Sequence, residues 1–188
     1  GSAQLLSNKL DNQDLQEYTD IIIKQTDRLT SLVDNILGPN KKPDFQFQNI
    51  HYPIENVLNL IDNESGYEDI KIIKDFDPSI PDLFIDSYLI ENSILNLTKN
   101  ARDSLIDSNT SNPEINIITR ISHGEMIDGE KNAMVCKISI IDNGPGIHEE
   151  IKDSIFFTMI TGKDKGTGLG LSITQGIISQ HKGNIHFT

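Results

Sequence analysis

Asn96 and Asn100 stand four residues apart in an apolar-periodic stretch, and Asp103 continues their line. That spacing places all three along one face of a helix. An amide oxygen is a hard, neutral ligand that suits Mg²⁺, a cation that usually completes its shell with water and phosphate oxygens. Taken alone, the pair reads more readily as a polar helix face in water. A second group is Asp142-Asn-Gly144-Pro-Gly146-Ile147. Its glycines allow close backbone approach to a flat ligand, and an Asp held at a strand end can accept a hydrogen bond from an exocyclic amino group such as that of adenine. An ordinary turn is the competing reading. The third group, Gly166-Thr167-Gly168-Leu169-Gly170-Leu171-Ser172, runs directly into an apolar-periodic helix. Glycines there free backbone N–H groups to meet an anion, and the helix dipole adds to the attraction. No Gly-Lys-Ser/Thr closes it, so it is not a Walker sequence, and no strand leads into it as a dinucleotide fingerprint requires.

The elements that must position these groups follow from periodicity. Leu15, Tyr18, Ile22, Gln25, Leu29, Leu32 and Ile36 advance by alternating threes and fours, a heptad seam that calls for helical partners. Leu5 and Leu6 precede it, and Ser7 to Asn12 supply turn and cap residues, so the beginning of the chain reads as a truncated helical hairpin. A simple two-helix appendage fits the same pattern. Gly38 and Pro39 stop the second helix, and the boundary falls there, giving units 1–38 and 39–188. Beyond it, Phe45 to Ile50 and Ile70 to Phe76 read as strands and Pro53 to Ile61 as a helix. Asp86 to Ile106 reads as a long helix. Ile115, Ile117, Thr119 and Ile121 alternate, as do Met134, Cys136, Ile138 and Ile140, which predicts an antiparallel pair with Cys136 buried. Gly168 to His181 reads as a helix, and Asn184 to Thr188 as the start of a strand. This order predicts an α+β fold, a two-layer sandwich with helices on one face of a mixed sheet.

Composition narrows the function. A formal charge of -12 over 188 residues argues against a nucleic-acid surface, which needs clustered Lys and Arg. An anionic ligand must therefore be held locally, by backbone amides, a helix N-terminus or a cation. No apolar run reaches the length of a membrane span and no signal peptide is visible, which predicts a cytoplasmic protein.

In this order and at these separations the three groups resemble the N, G1 and G2 boxes of the histidine-kinase branch of the ATPase superfamily that also holds gyrase, Hsp90 and MutL. The N box runs N-L-T-K-N-A-R-D from Asn96 to Asp103, G1 spans Asp142 to Ile147, and G2 spans Gly166 to Leu171, with a partial F box at Ile155-Phe156. The resemblance implies ATP and Mg²⁺ as ligands. Asn100 would bind the metal, Asn96 would sit beside the phosphates, and Asp142 would read the adenine amino group. Gly144, Gly146 and Ile147 would line the base, and Thr167, Gly168, Leu169 and Gly170 would meet the phosphates. The segment from Phe156 to Thr167 would be a lid carrying Lys163 toward the γ-phosphate. Asp103 stands in the nucleotide face where many of these kinases have a basic residue. Ala3-Gln-Leu-Leu, Glu17-Tyr-Thr-Asp-Ile-Ile-Ile, Leu32-Val-Asp-Asn-Ile-Leu-Gly-Pro39 and Met159 with Thr161-Gly162-Lys163 are similar to the nitrogen-regulation sensor kinases of the NtrB type. That type implies a homodimer, phosphotransfer through a histidine to an Asp of an NtrC-type response regulator, and a PII signalling protein upstream.

In this family the phosphoacceptor lies in a His-Glu-x-x-Asn-Pro box just before the Ala-Gln-Leu-Leu segment. None of His51, His123, His148, His181 and His186 has that context, and all five read as solvated. The resemblance thus predicts a partial phosphotransfer hairpin without its acceptor and a catalytic domain cut before its last strand, unable to phosphorylate itself. Two rivals remain. An ATP-hydrolysing switch of the gyrase kind would need a Glu base where this chain has Asn96, which cannot take a proton from water. A non-catalytic nucleotide-binding scaffold would keep the same boxes.

Overall fold

The chain divides into two compact units, Gly1–Lys42 and Pro43–Thr188. The computed structural model describes Thr19, which is helical and buried, and residues 43–187 apart from 63, 65, 128, 148, 153 and 158–167. The heptad seam therefore lies outside the described residues, Thr19 within its span excepted.

In the second unit, an 11-residue helix α1 (His51–Ile61) forms because Ile54, Val57, Leu58 and Ile61 recur at helical spacing and bury one stripe. Pro53 sits in the first turn, where its missing N–H costs nothing. Ile50 offers no capping side chain, and the Asn49 Oδ1 accepts from the His51 N–H at 2.9 Å instead. Helix α2 (Ser87–Asp107) starts on Asp86, whose extended backbone and Oδ1, accepting from the Leu89 N–H at 3.1 Å, make a regular N-cap. Its apolar stripe of Leu89, Ile90, Ile94, Ala101 and Leu105 faces the core.

The main sheet has the order β2 (Lys71–Asp75), β4 (Glu114–Ser122), β7 (Val135–Asp142). β2 runs parallel to β4, and β4 antiparallel to β7 in the register Ile115↔Asp142 through Ser122↔Val135, so the alternation gives the antiparallel pair and the sheet is mixed, as the order of elements predicts. Ile115, Ile117 and Thr119 are fully buried and share a face with Ile140, Ile138 and Cys136 across the ladder. The helical layer covers this face, and Ile54, Ile61, Ile94 and Leu105 complete the core with Ile115 and Ile117. Met134 lies just outside β7 and is exposed, and Cys136 is only partly buried against the core.

Five features depart from the sequence reading. β1 is shorter than expected, Gln46–Gln48, and it pairs antiparallel with β3 (Leu83–Ile85), a strand no periodicity announced because three residues carry none. The link between β4 and β7 holds a small ribbon, β5 (Glu125–Ile127) with β6 (Glu130–Asn132). A four-residue helix α3 (Glu149–Lys152) follows the Gly146 turn, before helix α4 (Gly170–Gln180). Residues 184–187 are not a strand, because none of them enters a hydrogen-bonded ladder.

Candidate functional site

The site forms along one face of α2. Helix α4 packs against α2 and brings its first residue to the two asparagines. A Cβ added to Gly170 would lie 3.9 Å from Asn96 Oδ1 and 4.0 Å from Asn100 Nδ2. A glycine here thus lets the start of α4 approach the paired amides. Gly168 takes φ +67, a left-handed turn that glycine adopts without strain, and Leu169, 5% exposed, anchors the entry to the helix. The first-turn N–H groups of any α-helix have no intrahelical acceptor, so this end is a donor surface beside Asn96 and Asn100.

One to two turns further along α2 is the Asp142 turn. Asp142 ends β7, and its Oδ1 accepts from the Gly144 N–H at 2.9 Å. Asn143 fastens the turn to the sheet: its Oδ1 accepts from the Glu114 N–H at 2.8 Å and its Nδ2 donates to the Asn112 carbonyl at 3.0 Å. The two glycines serve different purposes. A Cβ on Gly144 would fall 2.6 Å from Asp142 Oδ1 and 3.0 Å from Ser104 Oγ, so a side chain there must displace the Asp142 carboxylate. At Gly146 the space is open, but φ is +79 and the backbone itself selects glycine. Ser104 is a polar neighbour of Gly144 in this turn that the sequence reading missed. Its signal is weak, only that it follows Asn100 by four residues on the same face.

Asp103 also lies at this face, and its Oδ1 accepts from Arg102 Nη2 at 2.9 Å and from Arg102 Nε at 3.1 Å. Ile155 of the partial F box is 6% exposed, and the Phe156 ring meets Phe187 at 6.3 Å between centroids. Lys163, Thr167 and the rest of the expected lid from 158 to 167 lie outside the described residues. Among the described residues no three His, Cys, Asp or Glu side chains could jointly hold a metal ion.

His51 and His181 depart from the expected solvated state, while His186 is exposed as expected. The Thr119 hydroxyl lies 3.0 Å from His51 Nε2, and the His51 ring stacks on Phe76 at 4.9 Å. His181 Nε2 accepts from the Asp86 N–H at 3.0 Å, which leaves Nδ1 as the donor to the Ile177 carbonyl at 2.8 Å. Both rings are half-buried because they tie separate elements together. His123 is exposed, with Nδ1 3.1 Å from the Ala133 carbonyl, and His148 lies outside the described residues.

A helix carrying paired asparagines, a strand-end aspartate with a glycine turn, and a glycine-led helix converging on one face define an ATP-binding fold. Residues 85–188 match the family described as histidine kinase-, DNA gyrase B- and HSP90-like ATPase, and the chain belongs to that family. Within it, the chain is 43% identical over 185 residues to the sensory histidine kinase/phosphatase NtrB of Vibrio alginolyticus, covering 98% of this chain and 52% of that protein. It is 40% identical over 188 residues to NtrB of Escherichia coli O157:H7, covering 100% of this chain and 53% of that protein. It therefore spans about half the length of these relatives. Among solved structures, the catalytic domain of histidine kinase ThkA superposes with a TM-score of 0.58 at 28% identity over 73% of this chain and 82% of that one. ThkA in complex with the response regulator TrrA gives 0.63 at 26% identity, over 93% of this chain and 47% of that one. The chain thus carries the ATP-binding domain of this family and is similar along nearly its whole length to the sensory histidine kinases named NtrB.

Proposed function

We propose that the α2 face between Gly170 and Gly144 holds Mg-ATP and presents its γ-phosphate to a histidine of an acceptor helix. The observation that carries this reading is the approach of Gly170 to both Asn96 and Asn100, while Gly144 of the Asp142 turn lies against Ser104 of the same helix. Asn100 would supply an amide oxygen to Mg²⁺, which when bound would neutralise charge on the phosphate oxygens. Asn96 and the amides of Gly168, Leu169 and Gly170 hold the phosphates, with Lys163 and Thr167 from the lid. Asp142, oriented by the stitching of Asn143, accepts from the adenine amino group, and Gly144, Gly146 and Ile147 border the base.

In the transfer itself the imidazole nitrogen attacks phosphorus, the bond to the β-phosphate oxygen breaks, and ADP leaves with that electron pair. The protein's contribution is positioning and charge. Asn96 stands where a water-activating carboxylate would serve a hydrolase, which favours transfer over hydrolysis. The phosphoryl group then passes to an Asp of an NtrC-type response regulator, with a PII protein upstream and a homodimer built on the Leu15 to Ile36 seam. Among the described residues no helix is long and apolar enough to cross a membrane, which accords with a cytoplasmic kinase.

Calorimetry tests the site. Asn100→Ala should weaken Mg-ATP binding more than binding of metal-free nucleotide, and Asp142→Asn should erode the preference for adenine over guanine, since an amide can donate where a carboxylate only accepts. Unchanged Mg-ATP affinity in both variants would overturn the assignment.

A further inference from the structure

Asp103 poses an electrostatic problem. It continues the line of Asn96 and Asn100 toward a bound polyanion, and on a helix turning about 100° per residue it lies between the asparagine face and the face that carries Arg102. A carboxylate there repels phosphate unless its charge is matched. Arg102 supplies the match. Its guanidinium donates twice to Asp103 Oδ1, at 2.9 and 3.1 Å, and once to Glu64 Oε1 at 3.4 Å. The arginine is held in that orientation from its other side. Its side chain is only 18% exposed, its guanidinium carbon sits 5.1 Å from the centre of the Tyr67 ring, and its Cδ would be 3.4 Å from a Cβ on Gly66, whose φ is +94. Glu64 is itself shared with Lys99 at 3.5 Å. The loop after α1 thus grips Arg102 on the face of α2 away from the asparagines, and the guanidinium reaches around to Asp103.

We infer that Arg102 is a positioning residue for nucleotide affinity: it neutralises and fixes Asp103 at the edge of the ATP face, so that the loop at Glu64 to Tyr67 is coupled to the site through one guanidinium. This rests on the nucleotide reading proposed above. It also accounts for an acidic residue where many family members carry a basic one, because here the cation comes from the preceding position.

The test is a double-mutant cycle on the whole chain, reading Mg-ATP affinity by calorimetry at low and high salt beside thermal melts. Arg102→Gln should weaken binding roughly threefold to fivefold, the range of one partly screened charge pair. The loss should shrink in high salt. In the Asp103→Asn background the same change should have no effect on affinity, and Arg102→Lys should retain most of it. A loss of equal size in the unaltered and the Asp103→Asn backgrounds, a loss that follows the melt shift and ignores salt, or no loss at all would overturn the inference. Failure of the unaltered chain to bind Mg-ATP would instead sink the nucleotide reading on which it stands.

Discussion

Gly144 and Gly146 stand two residues apart and answer to different constraints, and substitution separates them. Ala at 144 must push on Asp142 Oδ1, 2.6 Å from the new carbon, so Gly144→Ala should reduce adenine-nucleotide binding in a titration. Ala at 146 meets nothing, but must hold φ near +79, so Gly146→Ala should lower stability by about 1–2 kcal/mol in denaturant unfolding. Cys136 makes a second residue-scale prediction. Burial, and then the nearby Asp77 charge, push its thiol from 9.0 up to about 11. The folded state therefore holds that proton more tightly than the unfolded state. The resulting stabilisation is full below about pH 9 and is lost as pH rises from 9 to 11. Melts across that range should fall more steeply for the unaltered chain than for Cys136→Val, and parallel slopes would refute the assignment.

At the scale of elements, Asp86 is the junction that orders helix α2. One carboxylate oxygen caps α2 at the Leu89 N–H, and the other accepts from the Asp44 N–H at 2.7 Å at the entry to β1. Its own N–H donates to His181 at the end of α4, so three elements meet at one residue. Asp86→Ala removes the cap and strands the Asp44 donor, and should cost about 1–2 kcal/mol in chemical denaturation, with Asp86→Asn falling between the two because its single amide oxygen can keep only one of the two bonds. Because α2 carries Asn96 and Asn100 and α4 begins at Gly170, loosening this junction should also weaken nucleotide binding. The Ala variant binding as tightly as the unaltered chain at a temperature where both are folded would show that the two ends of α2 are uncoupled.

For the molecule as a whole, the proposed phosphotransfer depends on bringing an imidazole into line with the γ-phosphate. None of the chain's histidines has the sequence context of an acceptor, and His51 and His181 are committed to internal contacts. Incubation with γ-labelled ATP should leave this chain unlabelled, and a separate helical hairpin bearing an acceptor histidine should become labelled only slowly. The reason is entropic. A tethered acceptor gains effective molarities that reach about 10⁵ M in well-oriented cases, and a free one does not. Acid-labile label on this chain alone would mean that one of its own histidines accepts phosphate.

Residue types and local periodicity were enough to mark out Asn96 and Asn100, the Asp142 turn and the glycine-led helix, because each is written in consecutive residues with a fixed geometric consequence. The same holds for α1, α2 and the β4–β7 pair, whose apolar positions repeat at the helix or strand period. What only the tertiary structure decided are relations between distant residues. β3 exists because β1 lies beside it, not because Leu83 to Ile85 carries a pattern. Ser104 becomes a neighbour of Gly144 through the packing of α2 on β7, and Arg102 is assigned to Asp103 because the loop holding Glu64, Gly66 and Tyr67 closes over its stem. His181 left the solvent because the end of α4 meets Asp86, 95 residues earlier in the chain. Such contacts depend on which faces the core presses together, and a local period carries no information about the element that will cover it.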